Sequence, residues 1–138
     1  MMYLKILMIG LCLGGGTQNR THVARDGSQM VRLVDHHRYQ VVDSAGFYLY
    51  SIRKLVQGEK IARVETVYYF SVGAVAPVKE LTRANLEDAF AGNACFRYHL
   101  EAQFHSDKAL MDYDQYLRMY KIKWIYGLCS GGVSERRR

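Results

Sequence analysis

Only between Glu80 and Tyr126 do apolar residues recur at helical spacing over several turns, and everything before that stretch reads as short strands. Thr82 stands where a helix N-cap is needed, with Leu81 and Leu86 at the N′ and N4 positions that staple the chain's entry. Leu86, Ala89 and Phe90 continue that helix, and Gly92 ends it. Asn93 caps a second helix, in which Phe96, Leu100 and Phe104 share one face. The spacing predicts a third from Ser106, with Asp107 near the positive end of its dipole and Leu110, Tyr113, Leu117 and Tyr120 as its buried stripe. Ile122, Trp124 and Tyr126 then alternate with Lys121, Lys123 and Ile125, which predicts a closing strand.

Upstream, Arg20 to Ser28 is polar without an apolar period and reads as a lead-in. Met30–Val34, Arg38–Asp43 and Phe47–Ile52 are rich in β-branched and aromatic residues, and turn-like Asp35-His36-His37 and Ser44-Ala45-Gly46 separate them. After the turn at Gln57-Gly58-Glu59, Ile61 to Val72 has the length of one bent strand or two. Gly73 to Val78, with Pro77, joins sheet to helices. The fold class is therefore α+β: an N-terminal antiparallel β-meander packed against about three C-terminal helices, closing with a short strand. With 138 residues, 49% hydrophobic and 23% charged, the expectation is one α+β domain over residues 25–138, strands within 29–72 and helices within 82–120.

Residues 1–24 have a different character. Lys5, the apolar run Ile6–Leu13 and then Gly14, Gly15 and Gly16 follow the layout of a secretory signal peptide, with a cut expected between about Gly16 and Ala24. The run is too short to span a bilayer as a helix, which takes about 20 apolar residues. A glycine-rich dinucleotide loop fits worse, because the spacing is not GxGxxG and no alternating α/β pattern follows. A lipid anchor on Cys12 would want a small residue before it, and Leu11 stands there. Export would remove Cys12 and leave Cys95 and Cys129, an even pair able to close a disulfide in an oxidising compartment.

No cluster in the sequence carries a recognisable chemistry. His36 and His37 are adjacent in a turn, His99 and His105 are too far apart for a helical i, i+4 pair, and no cysteine pair lies close to them in sequence. Asp112 and Asp114, two apart on the expected third helix, point to different faces. No catalytic, cofactor or metal residue is therefore assigned, and no cofactor is expected. The net charge of +6 is spread along the chain, apart from Arg136–Arg138, so no specific nucleic-acid partner is expected. Membrane association would need lipidation or a partner.

What remains is contact surface. Phe47, Tyr48 and Tyr50, with Tyr68 and Tyr69, leave both faces of the sheet partly apolar, more than short helices on one side can cover. The expected function is a small exported non-enzymatic module that binds a protein partner or belongs to a cell-envelope complex. A small hydrolase or metal-dependent enzyme is the alternative, and a basic nucleic-acid-binding protein the weaker third.

Overall fold

The computed structural model describes residues 21–131, so the signal-peptide layout and Cys12 lie outside the described residues. Six strands form one antiparallel, curled sheet in simple meander order: β1 (His22–Asp26), β2 (Gln29–Val34), β3 (His37–Asp43), β4 (Tyr48–Gln57), β5 (Ala62–Ser71) and β6 (Lys79–Glu80). The helical part follows, with α1 (Arg83–Ala89), α2 (Ala94–Gln103), a 3₁₀ turn over Asp107–Met111, the short pair β7 (Tyr113–Asp114) and β8 (Met119–Tyr120), and α3 (Lys121–Cys129). This is the α+β order expected from the change of period.

The caps act where the sequence places them. Thr82 Oγ1 accepts from the Asn85 N–H at 3.1 Å, and Asn93 Oδ1 accepts from the Phe96 N–H at 3.0 Å. Leu81 and Leu86 are both buried, as a staple requires.

Three expectations are corrected. The polar segment read as a lead-in contains β1, which pairs with β2 from His22 against Leu33 to Asp26 against Gln29; a polar edge strand shows little apolar alternation. The expected third helix is only the 3₁₀ turn, after which Asp114 Oδ1 accepts from the Leu117 N–H at 2.8 Å and Arg118 turns to φ 52, closing the β7–β8 hairpin instead. The expected closing strand is α3. Ile122 and Ile125 fall one turn apart on its buried side, and Lys123, which disguised that period, is buried for a reason of its own.

The register separates two faces of the sheet. On one lie Leu49, Ser51, Tyr68, Phe70 and Gln40; on the other lie Arg32, Tyr39, Tyr48, Tyr50, Tyr69 and Ser71. The helices cover the first. Phe47, Leu49 and Phe70 pack there with Leu86, Phe96, Leu100, Phe104, Leu110, Ile122 and Ile125, all essentially solvent-free. Burial of each such side chain is worth about 1.5–3 kcal/mol. Phe47 is the hub, its ring 5.1 Å from Tyr126, 5.4 Å from Phe90, 6.3 Å from Phe96 and 6.4 Å from Phe70. The turn that delivers it needs Gly46: φ is +77°, and a Cβ there would sit 2.7 Å from the Tyr126 ring.

Candidate partner-binding surface

β4 and β5 pair over ten residues, whereas β6 covers β5 only at Tyr69 and Phe70. The Tyr68 carbonyl still accepts from the Leu81 N–H at 2.9 Å, and beyond it β5 has no strand partner on that side among the described residues. Backbone groups of alternate residues point the same way, so Thr66, Val64 and Ala62 share the outward direction of the Tyr68 carbonyl. That is an unpaired edge, and beside it lies a groove of about 440 Å³ lined by Glu65, Val67, Tyr68, Leu81, Asp107 and Met111 among others. Val64, the residue before Glu65 in β5, remains 56% exposed, so an apolar side chain stands at the edge without cover.

The face away from the helices is built of tyrosines. Tyr39 lies 5.2 Å edge-on to Tyr69 and 6.0 Å from Tyr50, and Tyr48 stacks on Tyr50 at 5.9 Å. Lys54 sits over the Tyr69 ring and donates to its hydroxyl. Burial pushes the Tyr39 hydroxyl pKa up, with the neighbouring Tyr69 adding to it. Arg32 lies beneath this array, 1% exposed, and holds it in place. Its Nε donates to Thr21 Oγ1 at 2.8 Å, its Nη1 to Tyr50 OH at 2.9 Å, Ser71 Oγ at 2.8 Å and the Gly73 carbonyl at 3.3 Å, and its Nη2 to the Ala76 carbonyl. None of these acceptors is a carboxylate. The three nitrogens of one planar fork thus serve five neutral acceptors, which the single ammonium of a lysine could not reach.

These positions sort the residues expected to contact a partner. Phe47 and Tyr50 are fully buried and stand in the core. Tyr68 is half-buried against the core and lines the groove, and Tyr48 and Tyr69 are half-buried on the tyrosine face. Tyr39 and Arg32 were missed by sequence reasoning; Tyr39 stands alternate to Val41 in β3, and that alternation is the signal that was available.

Lys123 supplies the second buried charge. Its Nζ donates to Ala45 O at 2.7 Å and to Phe47 O, lies 3.4 Å from Asp43 Oδ1, and stands 3.9 Å above the Phe47 ring. Burial lowers its pKa from 10.5 to about 8, and the Asp43 carboxylate opposes that shift. Between those two values the unfolded lysine still holds its proton while the folded one has released it, so stability rises with pH there and gains nothing below about 8. Raising the pH from about 7 to about 10 should therefore widen the stability gap between the native chain and Lys123→Met by about 2 kcal/mol in favour of the native chain, read from urea unfolding at each pH. An unchanged gap would show that Asp43 keeps the ammonium charged throughout.

Cys95, in the first turn of α2, and Cys129, at the end of α3, meet at disulfide distance, their Cα atoms 5.5 Å apart. Such a pair is compatible with an oxidising, exported location. His99 stands one turn beyond Cys95, and its ring nitrogen and the two sulfurs all lie within 4.8 Å of one another. The sequence showed no cysteine pair close to His99; α3, read there as a strand, brings the second cysteine to it. His36, His37 and His105 are exposed. Asp112 and Asp114 serve the 3₁₀ turn and hairpin, Asp112 lying 3.9 Å from Lys121.

Comparison of the chain with models of known protein families, with curated proteins and with solved structures finds no match. No helix among the described residues is long and apolar enough to cross a membrane.

Proposed function

We propose that this chain is a small exported, non-enzymatic module that binds a protein partner by taking an extended segment beside β5. The observation that carries the reading is the mismatch in length between β5, of ten residues, and β6, of two, which leaves outward-pointing backbone groups beside a groove. A segment laid there gains main-chain hydrogen bonds from the edge, and its alternate side chains enter the groove over Tyr68, Leu81 and Met111. The half-buried Tyr48 and Tyr69 on the other face offer further contact area of the type interfaces favour. The cysteine pair and the amino-terminal layout of charged, apolar and small residues support the exported location, where such a module would join an envelope complex.

Ten-residue peptides alternating valine and serine, titrated by fluorescence anisotropy, test this. Thr66→Pro removes an outward N–H while leaving the β4 ladder intact, as proline on an edge strand does. Binding should weaken at least about tenfold in that variant. The amides of Val64 and Thr66 should gain hydrogen-exchange protection when the peptide is present. Protection elsewhere, or equal binding by Thr66→Pro, would rule out the β5 edge.

A further inference from the structure

We propose that Cys95, Cys129 and His99 form a metal site for Zn²⁺ or a similar borderline cation, which competes with the disulfide for the same two sulfurs. The ligand atoms of the three residues converge within 4.8 Å, from two elements that are otherwise joined only by packing: α2 contributes Cys95 and His99 one turn apart, and α3 contributes Cys129. Two thiolates and an imidazole are the donor set that zinc takes, at about 2.3 Å to sulfur and 2.0–2.1 Å to nitrogen. A tetrahedral ion at those lengths holds its two sulfurs about 3.8 Å apart. Cα atoms 5.5 Å apart allow that separation by side-chain rotation alone.

The histidine is already oriented for the task. Gln103, one turn further along α2, lies with its side-chain amide 3.1 Å from His99 Nδ1, so Nε2 is the nitrogen left to bind. Metal-bound histidines have such an outer partner on the second nitrogen, and a glutamine can turn its oxygen to an Nδ1–H as readily as it turns its NH₂ to a bare Nδ1. Cys95 is exposed, and Cys129 and His99 are half-buried, so reductant and ion can both reach the cluster. Three protein ligands leave a fourth position for water.

The two states exchange by ordinary thiol chemistry. A dithiol reductant gives two electrons and two protons to the Cys95–Cys129 bond and is itself oxidised to a disulfide; the cation then displaces the two thiol protons. Both states tie the start of α2 to the end of α3, so the same connection holds under oxidising conditions as a bond and under reducing conditions as a chelate.

The test uses Co²⁺ as a visible probe on the full chain carrying Cys12→Ser, reduced anaerobically with a water-soluble phosphine, which consumes one water and leaves as its oxide. One Co²⁺ per chain should bind with a thiolate-to-cobalt charge-transfer band, and the oxidised chain should show none. His99→Ala should weaken binding at least about tenfold, the loss that even an outer-shell partner causes, and Zn²⁺ should raise the melting temperature of the reduced chain by more than that of reduced His99→Ala. Absence of the band, or the same band and affinity in His99→Ala, would overturn the proposal.

Discussion

Replacing Phe47 by alanine should destabilise the fold by about 4 kcal/mol, the cost of emptying a large buried aromatic position. Phe47 is fully buried, and four other rings, from β5, the end of α1, α2 and α3, close on it. The space it leaves cannot collapse without moving all of them, which keeps the expected loss away from the low end of the range for such changes. Urea unfolding should show a lower midpoint at unchanged slope. Tyr69→Ala, on the opposite face and half-buried, should cost only about 1 kcal/mol, the worth of its edge-on contact with Tyr39. If the Phe47 variant lost partner affinity while keeping its midpoint, Phe47 would be a contact residue after all.

Removing the cystine should have the second large effect. Cys95 and Cys129 are 34 residues apart, and closing a loop of that length restricts the unfolded chain by about 3–4 kcal/mol on the chain-entropy account. Cys95→Ser with Cys129→Ser should lose about that much, and so should the native chain once reduced in the presence of a chelator. For the reduced native chain the chelator matters, because an ion bridging the reduced pair would restore part of the loss. A double variant as stable as the native chain would mean that packing of Phe96, Leu100, Ile122 and Ile125 holds α2 to α3 unaided.

How much of this was legible in the sequence follows from which forces are local. The caps Thr82, Asn93 and Ser106 were readable because a short side chain and an N–H three residues on are neighbours along the chain. The meander was readable because aromatic and β-branched runs were separated by turn residues. Lys123 defeated the reading of α3. A lysine at the second position of an apparent alternation looks like a solvent-facing residue, but this one is 7% exposed, bound to carbonyls 76 and 78 residues away that no local pattern announces. The Cys95–His99–Cys129 cluster was hidden for the same reason, since it exists only once α3 is a helix lying against α2. Arg32 offered no signal either; its five acceptors come from separate parts of the chain, and only the curl of the sheet brings them within reach of one side chain.

The ten-pair ladder between β4 and β5 has a mechanical consequence. Antiparallel hydrogen bonds run perpendicular to their strands, so a pull along β5 loads all of those bonds in shear together instead of peeling them one at a time. A segment held beside β5 would pass tension into that ladder lengthwise, whereas tension applied at the two-residue β6 would meet only the pairs at Tyr69 and Phe70. The sheet is thus stiff along one line and weak along the line next to it.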